Sequence, residues 1–165
     1  MPDLIPPPLS LYVHLPWCVR KCPYCDFNSH GARGGLPFDE YVAALVRDLE
    51  HDLPLVWGRT VHSVFFGGGT PGLFTAAAVE AILSAAAARL RFAPDAEITL
   101  EANPGTAEHD RFGGYRAAGV NRISFGIQSF DDGCLQRLGR IHDSAEAEAA
   151  VKLAQDAGFD NLNLD

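Results

Sequence analysis

Strand-like and helix-like segments alternate five times along this chain. Runs of β-branched, aromatic and aliphatic residues predict the strands, and apolar residues at helical spacing predict the helices between them. The predicted strands are Leu9–Leu15, Val61–Phe66, Glu97–Ala102, Arg122–Ile127 and Asn161–Asp165. The predicted helices are Phe38–Leu55, Thr75–Leu90, Thr106–Ala118, Asp131–Leu138 and Ser144–Ala157, with Thr75 and Thr106 as N-caps. This alternation predicts an α/β fold with a parallel sheet and right-handed crossovers.

The unusual residues of the chain fall at the carboxyl ends of the predicted strands. One such feature follows each strand in turn: a three-cysteine loop, Gly67–Thr70, Glu101, Gln128 and Asp165. In an α/β barrel these strand ends share one rim, whereas in a doubly wound sheet they spread along an edge and only the switch point forms a crevice. The convergence of five such features favours an incomplete (β/α) barrel of about five parallel strands with helices outside.

Three cysteines with the spacing C-x3-C-x2-C lie on the loop after the first predicted strand. Cys18, Cys22 and Cys25 can bind three corners of a cubane iron–sulfur cluster, and one iron is then left open for chemistry. Arg20 and Lys21 lie within this loop, where positive charge favours the thiolate form that binds metal. The loop therefore predicts a metal centre.

Other interpretations of the cysteines remain. His14 or His30 can complete a Cys3His zinc site with the same three thiols. A disulfide is disfavoured, because three of the four cysteines crowd onto one loop and no secretory signal precedes them. The fourth, Cys134, is expected to be a small, partly buried residue and not a cluster ligand.

Composition narrows the class of protein. A chain of 165 residues with 47% hydrophobic content is ordinary for one globular domain. The net charge of −8 argues against a nucleic-acid partner, because phosphate binding relies on clustered Lys and Arg. The prolines of Met1–Pro8 predict an extended lead-in, and the apolar segment Thr75–Phe92 is too short and too charged to span a bilayer. We predict a cytoplasmic protein without a transmembrane segment.

Three strand-end features are candidates for ligand binding. Gly67–Thr70 lets a backbone approach a ligand closely, although it is equally a tight turn, and no Gly-Lys-Ser/Thr follows to make it a P-loop. Glu101 is either an exposed acid or a carboxylate directed at an ammonium or a ribose diol. Gln128 can bind hydroxyls or only satisfy backbone groups in its turn.

Four further side chains are weaker candidates when they are taken one at a time. Arg140 offers a planar fork for a carboxylate, but many arginines lie on the surface. Tyr12 and Tyr24 can pack on a cluster or stack on an adenine, and core packing is the alternative for Tyr12. Asp165 is the last residue, so alone it indicates very little.

Taken together, these residues resemble the radical S-adenosylmethionine (SAM) superfamily, whose signature is the C-x3-C-x2-C loop after the first strand. The chain is more closely similar to the group that contains the oxygen-independent coproporphyrinogen III oxidases and the HemW-type haem chaperones. The similarity covers essentially the whole chain. The segments that carry it are Leu9–His14, Pro16–Cys18, Cys22–His30, Gly67–Pro71, Glu101–Pro104, Gly119–Ser124, Gln128–Phe130 and Arg137–Arg140.

The resemblance implies two cofactors and the residues that bind them. It implies that Cys18, Cys22 and Cys25 hold a [4Fe-4S] cluster whose open iron is chelated by the amino and carboxylate groups of SAM. It also implies a set of residues around that cosubstrate: Tyr12, Tyr24, Gly68, Gly69, Thr70, Glu101, Gln128, Arg140 and Asp165. Arg140 suits the carboxylate of SAM, and the acids suit its ammonium or ribose hydroxyls.

Two departures separate the subgroups of this family. The oxidases carry one more cysteine two residues after the third, where this chain has Phe27, and they begin with a longer extension than Met1–Pro8. Both favour the chaperones, which bind haem and deliver it to haem-requiring enzymes. Oxidative decarboxylation of coproporphyrinogen and a non-enzymatic, zinc-stabilised interaction domain are the alternatives.

A third departure concerns length. Family members continue through a sixth strand and a further domain, whereas this chain ends at Asp165, so we expect a partial radical SAM domain over residues 1–165 with a lead-in at 1–8. An uncovered sheet edge then predicts marginal stability or aggregation. The partners that the resemblance implies are haem or a porphyrinogen, haem-requiring acceptor proteins and an electron donor.

Overall fold

Five parallel strands form one sheet, and they lie in the sheet in the same order as in the chain. The computed structural model describes residues 6–105 and 111–165. Its elements in chain order are β1 (Leu9–Leu15), β2 (Trp17–Cys18), β3 (His30–Gly31), α1 (Phe38–Val56), β4 (Thr60–Gly68), a 3-10 helix (Pro71–Leu73), α2 (Ala76–Ala87), β5 (Arg91–Ala102), α3 (Phe112–Ala117), β6 (Arg122–Phe125), α4 (Asp132–Leu138), α5 (Ser144–Asp156) and β7 (Leu162–Leu164). The sheet order β1-β4-β5-β6-β7 has no reversal, as in a (β/α) barrel and unlike a doubly wound sheet. The predicted partial barrel is confirmed.

Most predicted elements are found, with differences at their ends. Strand β5 begins at Arg91, six residues before the predicted start, because Arg91 and Phe92 already pair with Thr60 and Val61 of β4. Helix α2 correspondingly ends at Ala87 and not near Leu90. Local propensity did not indicate this pairing, which depends on the neighbouring strand.

The ends of two helices show typical capping, and one of the two predicted N-caps can be compared with the structure. The Thr75 side chain accepts a hydrogen bond from the backbone N–H of Ala78 at 3.1 Å and so caps α2. Gly119 follows α3 with a φ of 106°, a conformation that favours glycine. The predicted cap at Thr106 lies outside the described residues, as do residues 1–5 of the lead-in.

The two faces of the sheet differ in polarity because side chains alternate along each strand. One face is apolar and is packed under the helices, where Leu15, Val64, Phe66, Leu100 and Ile123 are fully buried.

None of the helices in residues 6–105 and 111–165 is long and apolar enough to cross a membrane.

The opposite face of the sheet is polar, and its side chains bond to one another. Arg122 approaches Glu97 at 3.9 Å and donates to the Thr99 hydroxyl at 3.3 Å. The Ser124 hydroxyl donates to Asp165 at 3.0 Å and accepts from Asn163 at 3.1 Å. Thr99 and Ser124 are buried, and these bonds satisfy their hydroxyl groups.

Candidate functional site

A cavity of about 400 Å³ opens at the carboxyl ends of the strands. It is lined by all of the predicted site residues except Tyr12, namely Cys18, Cys22, Tyr24, Cys25, Gly68, Gly69, Thr70, Glu101, Gln128, Arg140 and Asp165. These residues come from six separate segments of the chain. The single rim that the strand order predicts therefore exists, and the predicted site residues other than Tyr12 meet there.

The cysteine loop, residues 18–25, is closed by a short strand pair that was not predicted. Strands β2 and β3 pair in parallel, and the Ala32 N–H donates to the Cys18 carbonyl at 2.8 Å. Within the loop, the Cys25 N–H donates to the Cys22 carbonyl at 3.1 Å. Cys18 is buried, whereas Cys22 and Cys25 are half-buried and face the cavity.

Lys21 has a different role from the one expected beside the sulfurs. Its ammonium donates to the carbonyl groups of Phe27 at 2.9 Å and Ser29 at 3.3 Å. The lysine thus holds the segment after the cysteine loop. A cation from a distant part of the chain contacts a sulfur of this loop: Nη1 of Arg140 lies 3.4 Å from the Cys22 sulfur.

The glycine turn, residues 67–70, packs directly on the entrance to the cysteine loop. A Cβ atom at Gly69 would lie 2.6 Å from the Trp17 carbonyl oxygen, so only glycine fits there without displacement. The Gly69 N–H donates to Leu15 at 2.8 Å, and the Thr70 N–H donates to Trp17 at 2.7 Å. These two N–H groups hold the entrance to the cysteine loop in place.

An aromatic cluster supports the same entrance from behind. Trp17 packs edge-on against Tyr41, with ring centroids 4.7 Å apart, and also contacts Phe74. The Tyr41 hydroxyl donates to the His14 carbonyl at 2.8 Å. The first residues of the cysteine loop are therefore anchored to α1 and to the 3-10 helix region.

Glu101 is half-buried at the end of β5 and faces the cavity. Burial raises the pKa of its carboxyl group, and the nearby Asp165 carboxylate raises it further. A hydrogen bond from the backbone of Gly68 opposes this rise in pKa. Two carboxylates that share one cavity wall are suited to a cationic or hydroxyl-bearing ligand.

Gln128 and Asp165 are joined through their backbones. The Gln128 N–H donates to the Asp165 carbonyl at 2.7 Å, and the Asp165 N–H donates to Phe125 at 2.9 Å. Gln128 has a φ of 74°, in the left-handed region that non-glycine residues seldom adopt. The backbone of Gln128 thus joins two strand ends, and Gln128 also lines the cavity. The role of its side chain stays a prediction.

Arg140 is held on one side and has a free donor on the other. Its Nη2 donates to the Asn103 side chain at 2.5 Å and to the Gly126 carbonyl. Its Nη1 lies 3.5 Å from the Tyr24 hydroxyl. Its Nε is buried and has no hydrogen-bond acceptor in the part of the chain that the structure describes. A buried donor on a cavity wall fits an anionic ligand group such as a carboxylate.

Tyr12 lies on the polar face of the sheet beside the cavity and is not among its lining residues. Its ring stacks on Phe65, and its hydroxyl donates to Nδ1 of His14 at 3.3 Å. Burial and the charge of Glu101 raise the pKa of the Tyr12 hydroxyl. Core packing, the alternative for Tyr12, does not apply, because Tyr12 is 57% exposed. Its place beside the cosubstrate stays a prediction.

The histidines of the zinc alternative are not directed at the thiols. Nε2 of His14 donates to the Asn28 carbonyl at 2.8 Å, and His30 is exposed on β3. Across the described ranges, no group of three or more His, Cys, Asp or Glu side chains is placed to hold a metal ion. A single zinc needs all of its ligands within about 2.3 Å. A cubane instead takes each cysteine on a separate iron.

The residues that line the cavity include some that were not predicted as site candidates, and two of these contact Arg140. Asn103 and Gly126 line the cavity and contact Arg140. The signal for Asn103 was its position two residues after Glu101, just past the end of β5. Gly126 had no such signal, because its importance comes from its contact with a residue on another loop.

The comparison with protein families agrees with this geometry. The family model of the radical SAM superfamily matches residues 12–165. The chain belongs to the radical SAM superfamily. The heme chaperone HemW of Escherichia coli (strain K12) is 57% identical over 159 residues, which are 96% of this chain and 42% of that protein. The heme chaperone HemW of Haemophilus influenzae is 53% identical over 169 residues, covering 100% of this chain and 44% of that protein.

A solved radical SAM structure has the same fold. Coproporphyrinogen III oxidase (HemN) from Escherichia coli superimposes with a TM-score of 0.85 and 35% sequence identity, over 96% of this chain and 36% of that one. The family and fold predicted from the sequence are therefore confirmed. This radical SAM chain spans less than half the length of these relatives.

Proposed function

We propose that this chain forms the cluster-binding and SAM-binding part of a haem chaperone of the HemW type. The observation that carries the proposal is the cavity in which the three cysteines face Arg140, Glu101 and the glycine turn. Membership of the radical SAM superfamily and the 57% identity with a heme chaperone support it. Haem, haem-requiring acceptor proteins and an electron donor are its proposed partners.

Each proposed cofactor has matching groups on the cavity wall. Cys18, Cys22 and Cys25 would hold a [4Fe-4S] cluster. Arg140, with its unsatisfied Nε, would bind the carboxylate of SAM, and Glu101 with Asp165 would bind its ammonium or ribose hydroxyls. One-electron reduction of the sulfonium is the chemistry that such a cluster supplies when it is bound.

Phe27 favours a chaperone over an oxidase. It stands where the oxidases carry an additional cysteine, and it lines the cavity with a side chain that is 63% exposed. An exposed apolar ring in this place provides surface for a flat apolar ligand and no sulfur ligand. We also propose a cytoplasmic location, because all four cysteines are free thiols, as is usual in a reducing compartment.

Anaerobic reconstitution with iron and sulfide tests the proposal. We expect roughly three to four irons per chain, a broad visible absorption, and a change in that spectrum when SAM is added. Cys22→Ala should lose the iron and the absorption. Cys134→Ala is the matched control, because Cys134 lies on α4 and takes its hydrogen bond from Arg137 at 3.0 Å, so this variant should bind iron normally.

Two other results would replace the proposal. One tightly bound zinc without iron would support a zinc-stabilised interaction domain. Robust decarboxylation of coproporphyrinogen by the full-length protein would support the oxidase, the function that is named for the structurally similar HemN. Iron uptake with no spectral response to SAM would contradict an open iron in this cavity.

A further inference from the structure

Asn103 connects two walls of the cavity through both ends of its side-chain amide. Its Oδ1 accepts from Nη2 of Arg140 at 2.5 Å, and its Nδ2 donates to the Thr70 hydroxyl at 3.1 Å. Thr70 belongs to the glycine turn after β4, and Arg140 lies between α4 and α5. The loop after β5 thus joins the loops on either side of it.

The amide group is what permits this pair of contacts. The guanidinium of Arg140 can only donate hydrogen bonds, so Asn103 must present an acceptor to it. The bond to Arg140 involves a charged partner and is the stronger of the two, since hydrogen bonds with an ionised group are about twice as strong as neutral ones. Loss of the amide should therefore act mainly through Arg140.

Gly126 provides a second acceptor for the same guanidinium. Its carbonyl also accepts from Nη2 of Arg140. A Cβ atom at this position would lie 2.8 Å from Oδ1 of Asn103 and 3.4 Å from Nη2 of Arg140. The absence of a side chain at Gly126 therefore allows the Asn103 oxygen and the guanidinium to meet.

The seat of Arg140, which we define as Oδ1 of Asn103 and the carbonyl of Gly126, determines which guanidinium donors remain for a ligand. Both described acceptors of Nη2 belong to the seat, whereas Nη1 faces the Cys22 sulfur at 3.4 Å and the Tyr24 hydroxyl at 3.5 Å. The buried Nε has no acceptor in residues 6–105 or 111–165. A guanidinium that is held from one side in this way presents its remaining donors in a fixed direction, at less entropic cost than a mobile side chain.

We propose that Asn103 is a positioning residue that, together with Gly126, fixes Arg140 for recognition of the carboxylate of SAM. The inference rests on the proposed function, because that function assigns the carboxylate to Arg140. The proposed role of Asn103 is to hold the side chain of Arg140. It does not require direct contact between Asn103 and either cofactor.

The test compares two ligands that differ only in the carboxylate. The reconstituted protein and its variants are titrated with SAM and with decarboxylated SAM, which keeps the sulfonium and the amino group, and dissociation constants are measured by equilibrium dialysis. Asn103→Leu removes both hydrogen bonds at similar size. We expect it to weaken binding of SAM about 10- to 100-fold and to change binding of decarboxylated SAM about twofold or less.

Two further variants test the contact between Asn103 and Arg140. Asn103→Asp keeps an acceptor for Arg140 and should recover most of the affinity for SAM. Gly126→Ala places a Cβ atom 2.8 Å from Oδ1 of Asn103, and it should weaken binding of SAM more than binding of decarboxylated SAM. Iron content is measured for every variant and should be unchanged.

Several outcomes would overturn the inference, and they differ from failure of the proposed function. Equal loss of both ligands in Asn103→Leu or in Gly126→Ala would show that Asn103 does not act through Arg140. Loss of iron in Asn103→Leu would assign it to folding of the site. If the unmodified, iron-loaded protein binds neither ligand, the proposed function itself fails.

Discussion

The same strands form both faces of the sheet, but one face packs against the helices and the other extends to the cavity. On the apolar face, Phe66 and Leu100 are fully buried against the helices. On the opposite face, Phe65 and Thr99 are paired on neighbouring strands, and Glu101 lines the cavity. The difference shows how strand alternation lets one set of residues stabilise the fold while the set between them is free to hold a site.

Burial of the polar face costs free energy unless its polar groups form hydrogen bonds. Thr99 and Ser124 are 1% and 3% exposed, yet each has hydrogen-bond partners on the neighbouring strands. The apolar face depends on close packing, so its variants should lose much more stability than those of the polar face. Substitutions on the two faces, and at the point where the sheet meets the cysteine loop, test this contrast.

Truncation of the apolar face should have the largest effect. Phe66→Ala leaves a cavity in the core and should lower the free energy of unfolding by about 3–5 kcal/mol. Urea or thermal unfolding followed by circular dichroism measures it. Phe130→Ala is the control, because Phe130 is exposed and its loss should change stability little. An equal effect of both variants would contradict the assignment of the core.

The same unfolding experiment bears on the marginal stability that we predict for the 165-residue chain. A cooperative and reversible melt of a monomer would contradict that prediction. Aggregation during heating would support it, since an unpaired strand edge promotes association.

Gly69→Ala tests the point where the sheet meets the cysteine loop. Its Cβ would overlap the Trp17 carbonyl, so the entrance to the loop must move, at a cost of about 1–3 kcal/mol. We expect lower iron uptake in reconstitution, measured as iron per chain. Gly35→Ala is the matched control, because no atom lies within 4 Å of its added Cβ and its φ is not positive. Normal iron uptake by Gly69→Ala would show that the contact is not needed.

Ser124→Ala on the polar face should have a smaller effect. It removes the bond to Asp165 and the one from Asn163, but those two residues remain bonded to each other. We expect a loss of about 1 kcal/mol in the free energy of unfolding. Ser10→Ala is the control, because the Ser10 and Ser63 hydroxyls bond at the exposed end of the sheet. A loss as large as that of Phe66→Ala would remove the contrast between the faces.

Glu101→Gln should show the smallest effect, which depends on pH. Because burial and Asp165 raise the pKa of Glu101, its contribution to stability is fully present below its unfolded pKa and is lost as the pH rises through its folded pKa. The neutral variant avoids this loss. Relative to the unmodified protein, its stability should therefore rise between mildly acidic and neutral pH and stay level below that range. Unfolding midpoints at a series of pH values measure the difference, and a difference that is independent of pH would show that titration of Glu101 is not its cause.

The sequence predicted the fold well where signals are local. Strand formers, helical periodicity and capping residues such as Thr75 located the main elements, and the cysteine spacing indicated the family. It did not predict the β2–β3 pair, the early start of β5 or the role of Lys21. Each of these depends on a partner that is supplied by another segment, and no local pattern encodes that partner.

The amino-acid sequence alone was enough to identify the candidate site residues and to place them after successive strands, because propensity, alternation and motif spacing act within a few residues. How these residues meet depends on the tertiary structure. The contact between Arg140 and Cys22 joins residues that are 118 positions apart, and the Asn103 amide finds Thr70 and Arg140 only after three loops share one rim. Such contacts follow from the packing of the whole sheet.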